Sequence, residues 1–227
     1  MSAPISVIIP TLNAADEVDA TLNALIPGLQ ENLIKEVIIA DGGSTDTTIL
    51  RAYNWGSRII ASAKGRGRQL RTGGLNATGE WLLFLHADTQ LSPDWPEFLD
   101  QHMRDHPDKA AAFRLRYRSN LRQARWLESR ANRRSVWFGL PYGDQGLFIS
   151  KEIYDALGGY LDLPLMEDVN LVRRIGKNGL RLLNCDAFTS AEKYERDGWR
   201  KRAWSNAFLL LRYFLGASPE KLARRYT

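Results

Sequence analysis

Two carboxylates of this chain stand at the abrupt ends of apolar runs. Trp81-Leu82-Leu83-Phe84-Leu85 stops at His86-Ala87-Asp88, and Val37-Ile38-Ile39-Ala40 stops at Asp41. Such runs read as strands buried on both faces, the habit of a parallel sheet. A carboxylate at the carboxyl end of such a strand sits where open α/β sheets bind ligands. Packing alone gives no reason for Asp88. A divalent ion carrying a diphosphate is its natural partner. The other task open to it is capping the next helix, for which Ser92-Pro93 is the better start signal. Asp41 would accept hydrogen bonds from a base or ribose. Between the two lies Lys64-Gly65-Arg66-Gly67-Arg68. Lys64, Arg66 and Arg68 could bring charge and backbone amides to phosphates. Taken alone, the same loop reads equally well as a solvated basic face. It is not a dinucleotide fingerprint, because the third glycine is missing and the loop follows the third strand.

The elements that must position these residues alternate. Ile5–Pro10 predicts a strand, and Asp16-Glu17 opens an amphipathic helix with Val18, Leu22, Leu25 and Ile26 on one face, ending at Pro27-Gly28. The second strand ends in Asp41. Ser44-Thr45-Asp46 predicts the cap of a helix reaching Tyr53, and Arg58–Ala61 a third strand. A helix to Asn76 and the Trp81 strand complete the series. Strand–helix alternation predicts an α/β fold with a mostly parallel sheet, helices on both faces, and the strand ends along one rim. Thr11 and Asn13 would share that rim with Asp41 and Asp88.

Pro10-Thr11-Leu12-Asn13 with Glu17, Asp41-Gly42-Gly43-Ser44-Thr45-Asp46 and His86-Ala87-Asp88 together resemble family 2 glycosyltransferases of the GT-A (Rossmann-like) fold. The resemblance extends to Gly143-Asp144-Gln145-Gly146 and Met166-Glu167-Asp168, and so over nearly the whole chain. It implies a nucleoside-diphosphate-sugar donor and favours uridine. Pro10, Thr11, Asn13, Glu17, Asp41, Lys64, Arg66 and Ala87 would surround the nucleotide. Asp88 would take the last position of an Asp-x-Asp motif and bind Mn²⁺ or Mg²⁺. His86 stands in the first position, a departure, since these ions prefer oxygen ligands. Asp168 would be the catalytic base, with Glu167 its neighbour. Arg196 and Trp199 fall where the family carries a lid or acceptor loop, although its Gln-x-x-Arg-Trp pattern lacks the Gln here. The chain's short length and Arg196-Asp197-Gly198-Trp199 resemble a small bacterial subgroup linked to arsenosugar biosynthesis.

The remaining signals are weaker. Asp144 and Gln145 could hydrogen-bond sugar hydroxyls or merely form a hairpin turn. His102 and His106 have i, i+4 spacing, but Pro107 follows and the setting is polar, so they read as a surface helix end. From Arg114 to Arg134, Glu128 is the only acid. That stretch reads as a solvated face, with an anionic acceptor or acidic membrane as the alternative. Trp199 to about Gly216 is an aromatic-rich amphipathic segment between basic flanks that include Arg224 and Arg225. It would pack on the domain, form a homodimer contact, or lie peripherally on a membrane.

The totals bound the rest. The 227 residues carry a net charge of +5 and one cysteine, Cys185. One domain is expected over 1–227: a nucleotide-sugar half (1–105), an acceptor and catalytic half (106–195) and a helical tail (196–227). The single cysteine excludes a disulfide framework. Met1-Ser2-Ala3-Pro4 leads straight into a strand, so no secretory signal is expected, and no apolar run is long enough to span a membrane. A cytoplasmic protein follows, with a peripheral site at the inner membrane face left open. The expected activity is inverting transfer of a sugar to an acceptor hydroxyl. The alternatives are a sugar nucleotidyltransferase, whose Gly-rich signature after the first strand is missing, and a non-catalytic module for anionic ligands. Nucleic acid is not expected as a partner, because such a module leaves Asp41, Asp88 and Asp168 unexplained.

Overall fold

The computed structural model describes residues 3–223; Arg224 and Arg225 lie outside the described residues. Strand β1 (Ile5–Thr11) is buried at every position. It leads into helix α1 (Ala15–Asn23), the short helix α2 (Ile26–Gln30) and strand β2 (Ile34–Asp41). Then come α3 (Thr48–Asn54), β3 (Arg58–Ala61), α4 (Arg66–Asn76) and β4 (Trp81–Phe84). These four strands form the parallel half of the sheet, in the order β3-β2-β1-β4.

Beyond β4 the pattern changes. The chain continues through β5 (Gln90–Leu91), α5 (Trp95–Asp105), β6 (Ala110–Tyr117), α6 (Arg122–Phe138) and a 3₁₀ turn at Gly143–Gln145. Next are β7 (Leu147–Ser150), α7 (Lys151–Ala156), α8 (Glu167–Ile175) and a second 3₁₀ turn at Lys177–Gly179. The chain closes with β8 (Leu180–Thr189), α9 (Glu192–Asp197), α10 (Trp199–Phe214) and α11 (Pro219–Ala223). The full order is β3-β2-β1-β4-β7-β6-β8-β5. β7 runs antiparallel to β4 and to β6, β6 and β8 run parallel, and β5 is antiparallel to β8. The sheet is therefore parallel on one side and mixed on the other. That inversion brings the 3₁₀ turn before β7 to the same rim as the carboxyl end of β4.

Helices cover both faces. One core gathers Leu25, Trp95, Phe113 and Phe148, the other Ile8, Ile38, Leu82 and Tyr154. Close approach is set by glycine. A Cβ on Gly73 would lie 2.3 Å from Ile8 Cγ2, so α4 rests directly on β1. Gly28 gives room to the Trp95 indole, where a Cβ would fall 2.2 Å from the ring. Pro27-Gly28 therefore lies inside α2 rather than ending a helix, with proline in the first turn where its missing N–H costs nothing.

Two other expectations change. The helix after Ser44-Thr45-Asp46 begins at Thr48, and Asp46 Oδ1 accepts from Thr48 N at 3.0 Å. His102 is no surface residue: it is 2% exposed beside Trp81 and Phe148. Its Nε2 lies 2.9 Å from Lys109 O, and burial lowers its pKa. Leu180–Thr189 forms the ten-residue strand β8. Cys185 is buried there, and burial pushes its thiol up to about 12, far from a reactive thiolate. No helix among the described residues is long and apolar enough to cross a membrane.

Candidate active site

The rim begins with two loops pinned together. Thr11 and Asp41 are register partners in β1 and β2. Asp41 is 4% exposed, and four donors converge on its carboxylate. Thr11 Oγ1 (2.9 Å) and Ser44 Oγ (2.5 Å) donate to Oδ1. Gly43 N (2.9 Å) and Ser44 N (2.8 Å) donate to Oδ2. Burial alone would raise its pKa; the bonds from Ser44, Thr11 and Gly43 outweigh that and hold it below the ordinary value. Across the gap, Asn13 Oδ1 accepts from Thr45 N, Ala14 N donates to Thr48 Oγ1 and Ala15 N to Asp46 Oδ2. The first amides of α1 are thus capped by the β2–α3 loop. Gln69 of α4 braces both loops from below, donating from Nε2 to Thr11 O (2.6 Å) and Ala40 O (3.0 Å).

The end of β4 is treated differently. Its backbone is fixed: Thr21 Oγ1 donates to Ala87 O at 2.7 Å and Arg118 Nη1 to Asp88 O at 2.9 Å. Glu17 holds that arginine, accepting from Arg118 Nη2 at 2.5 Å. Yet among the described residues nothing hydrogen-bonds the Asp88 carboxylate. The two strand-end aspartates thus part company, Asp41 spent on its own turn and Asp88 left for a ligand.

Facing Asp88 is the amino end of α8. Met166 precedes it in the left-handed region, φ 63°, which is strained for a residue with a side chain. The strain turns Glu167 inward and places Asp168 at the rim. Asp168 Oδ2 accepts from Gly143 N at 2.8 Å and Oδ1 from Val169 N at 2.7 Å, so one rotamer is fixed. Glu167 is 1% exposed and ion-paired with Arg66 at the start of α4. Burial raises its pKa, against the opposing pull of Arg66. Gly67 permits that meeting, since a Cβ there would lie 2.7 Å from both Leu161 O and Leu163 O.

Arg66, His86, Asp88, Asp144 and Asp168 line one cleft of about 180 Å³. Burial, then the Arg66 guanidinium, pushes the His86 imidazole down to about 4, so it is neutral near pH 7 with a lone pair free for a Lewis acid. A Cβ on Gly143 would fall 2.5 Å from His86 Nε2. Burial pushes the Asp144 carboxyl up to about 6, and its Oδ1 is buried without a partner. No group of three or more His, Cys, Asp or Glu among the described residues is arranged to hold a metal alone. The donor set is a neutral imidazole and an uncommitted carboxylate. That would suit an Mn²⁺- or Mg²⁺-type ion if oxygen ligands from outside the protein completed its shell.

The expected residues fall into three groups. Arg66, His86, Asp88, Asp144 and Asp168 meet in the cleft. Pro10, Thr11, Asn13, Asp41 and Ala87 belong to the adjoining rim, and Lys64 is exposed on the loop before α4. The others are committed elsewhere: Glu17 to Arg118, and Glu167 to Arg66. Gln145 is wholly buried, accepting from Ser135 Oγ at 2.8 Å and donating to Phe113 O at 2.9 Å, so it shapes the 143–145 turn rather than touching a sugar. Arg196 is exposed beside Asp197, away from the cleft. Trp199 is packed on Tyr194 and Tyr117. Tyr142, Lys193 and Arg202 also line the cleft. No spacing marked them, since they arrive on a turn and on α9 and α10.

A family model described as "Glycosyl transferase family 2" matches residues 6–160. A Mycobacterium tuberculosis protein named "PGL/p-HBAD biosynthesis glycosyltransferase" is 39% identical over 105 residues, covering 40% of this chain and 38% of that protein. Glucosyl-3-phosphoglycerate synthase of the same species is 29% identical over 93 residues, 37% of this chain and 28% of its own length. The chain thus spans well under half the length of these curated relatives. The crystal structure of that synthase with Mn²⁺, uridine diphosphate and glucosyl-3-phosphoglycerate superposes with a TM-score of 0.58 at 21% identity, over 81% of this chain and 70% of that one. The fold is of that type.

Proposed function

The chain belongs to glycosyl transferase family 2, and on that premise we propose that it is an inverting glycosyltransferase moving a sugar from a nucleoside-diphosphate donor, a UDP-sugar by preference, to an acceptor hydroxyl. The observation that carries this reading is the cleft: an uncommitted carboxylate, a neutral imidazole and a rigidly held aspartate converge at the carboxyl edge of the parallel strands. The synthase with the same fold was crystallised with Mn²⁺ and uridine diphosphate, which supports the donor class.

In this reading Thr11, Asn13 and the Asp41 turn frame the nucleoside, and Lys64 and Arg66 lie on the phosphate side. His86 and Asp88 would hold a divalent ion beside the diphosphate. When bound, that ion offsets the charge developing on the leaving group. Asp168, fixed by two backbone amides, accepts the acceptor's proton as the hydroxyl oxygen attacks the anomeric carbon. Glu167 positions Arg66 and takes no proton from substrate. Residues 1–105 supply the donor side, 106–195 the catalytic Asp168 and the acceptor side, and the tail the outer wall. The Arg196-Asp197-Gly198-Trp199 segment supports a place beside the arsenosugar-linked subgroup.

The test is a melting-temperature panel of UDP, GDP, CDP and TDP with and without Mn²⁺. One diphosphate should raise the transition only with metal, and Asp88→Ala should abolish the rise. Asp168→Asn should keep the rise and lose turnover with release of nucleoside diphosphate. No response to any nucleotide, or normal turnover by Asp168→Asn, refutes the assignment.

A further inference from the structure

A second cavity adjoins the cleft. It occupies about 1340 Å³ between α6 and α10, and it shares Tyr117, Tyr142, Asp144, Tyr194 and Asn206 with the cleft. Its volume exceeds the roughly 300–1,000 Å³ of ordinary small-molecule pockets. Four of the chain's seven tryptophans line it: Trp126, Trp137, Trp199 and Trp204. Trp126 is 50% and Trp204 76% exposed, a poor arrangement for a helix pair with nothing between them.

The charge is equally one-sided. Five arginines line the groove, with Asp144 its only acid. Elsewhere in this region arginines have carboxylate partners: Arg114 and Arg116 pair with Asp186, and Arg125 with Glu128. Among the described residues no carboxylate pairs with Arg122, Arg130, Arg133 or Arg200, which stand along the groove. Arg130 lies over the Trp126 ring at 4.7 Å, so cation and apolar wall form one surface. At the inner end, Trp199 Nε1 and Asp144 Oδ1 are buried without partners. A donor and an acceptor in that state suit a hydroxyl group.

We infer that this groove is the acceptor site, and that the acceptor is an anionic amphiphile. Its apolar body lies between α6 and α10, its acidic group meets the rim arginines, and its hydroxyl reaches the Asp144–Asp168 end. The inference rests on the transferase reading for the identity of the cleft. It goes beyond it in naming the acceptor's chemistry. A small polar acceptor such as phosphoglycerate would leave the aromatic walls without a task. The groove's continuity with the cleft and its uncompensated positive charge favour an amphiphilic molecule over a protein partner.

The test uses dodecyl phosphate below its micelle concentration, titrated calorimetrically into the full chain, with inorganic phosphate and dodecyl maltoside as controls. Dodecyl phosphate should bind at least tenfold more tightly than either control. The Trp126→Ala/Trp204→Ala double variant, altered at two exposed positions, should lose tenfold or more of that affinity and keep the UDP–Mn²⁺ melting shift. Binding no tighter than the controls, or unchanged binding by the double variant, overturns the inference. So does binding only to phosphatidylglycerol vesicles, which would assign the face to a bilayer. A dimer that dodecyl phosphate leaves intact would assign it to a second copy of the chain. Loss of the UDP response in the wild type strikes the transferase reading instead, and is read separately.

Discussion

Asp144 carries the clearest electrostatic signature. Its carboxyl is pushed up to about 6 by burial first, with Asp168 and Asp88 adding repulsion and Arg134 and Arg66 opposing it. In the unfolded chain an aspartate titrates near 3.9. Between those values the folded protein binds the extra proton, so stability falls as pH rises from about 4 to 6 and then levels off. Two units correspond to about 3 kcal/mol at most, and water in the open cleft reduces the cost to about 1–3 kcal/mol. Asp144→Asn, nearly isosteric and uncharged, should therefore stabilise the ligand-free protein by that amount at pH 8 and by little at pH 4.5. Urea unfolding of both proteins across this range measures the difference, which should be half-developed near pH 5 and level off above about 6. A variant that is destabilised at every pH, or a difference that does not change with pH, refutes the account. The same variant should be slower in transfer, the cost in stability being what keeps an unpartnered acceptor in the cleft.

Other outcomes follow from the contacts at the rim. Asp41→Ala removes the acceptor for four donors and should cost about 3–5 kcal/mol in urea unfolding, whereas Asp41→Asn should cost about 1–2 kcal/mol, because its amide can donate to the two hydroxyls and its oxygen accept from the two amides. That contribution belongs to a lowered pKa, so it is complete above about pH 4 and shrinks below it. Arg66→Ala strands Glu167 and should cost about 3–5 kcal/mol at pH 8 but less at pH 5, where Glu167 can protonate; Arg66→Met/Glu167→Leu should recover stability without recovering turnover. Gly67→Ala drives a Cβ into two carbonyl oxygens and should cost about 1–3 kcal/mol, with KM for the donor rising as the 161–167 segment shifts away from α4.

Much of the parallel half was legible because β1, β2 and β4 are short, doubly buried and followed at once by polar residues. A period of nearly continuous apolar residues admits few other readings, and the right-handed crossover then fixes which rim the ends share. Asp41 and Asp88 look alike in sequence, each closing a buried strand. What separates them is the following loop: Gly43 and Ser44 fold back their amides onto Asp41, while the residues after Asp88 turn away and leave its carboxylate bare. Glu17 was expected beside the nucleotide, and Gln145 either beside a sugar or in a turn; their partners Arg118 and Phe113 lie 101 and 32 positions away, where no local pattern announces them. The mixed half was the least legible. β8 alternates only loosely, and its pairing with β6 makes sense of the arginines at 114 and 116 through Asp186, which no local pattern announces.

The two halves of the cleft are coupled through one narrow contact. α4 approaches the segment before α8 only because residue 67 is glycine, and at that contact Arg66 meets the buried Glu167. The strained Met166 lies next in the chain, so the ion pair, the left-handed turn and the Asp168 rotamer depend on one another. A backbone held at φ 63° persists only where its surroundings over-determine it. Here they do so from both sides, by Arg66 holding Glu167 and by Gly143 N and Val169 N holding Asp168. The strain is thereby converted into a fixed direction for one carboxylate. In the proposed mechanism that fixed direction is what lets Asp168 meet an acceptor hydroxyl.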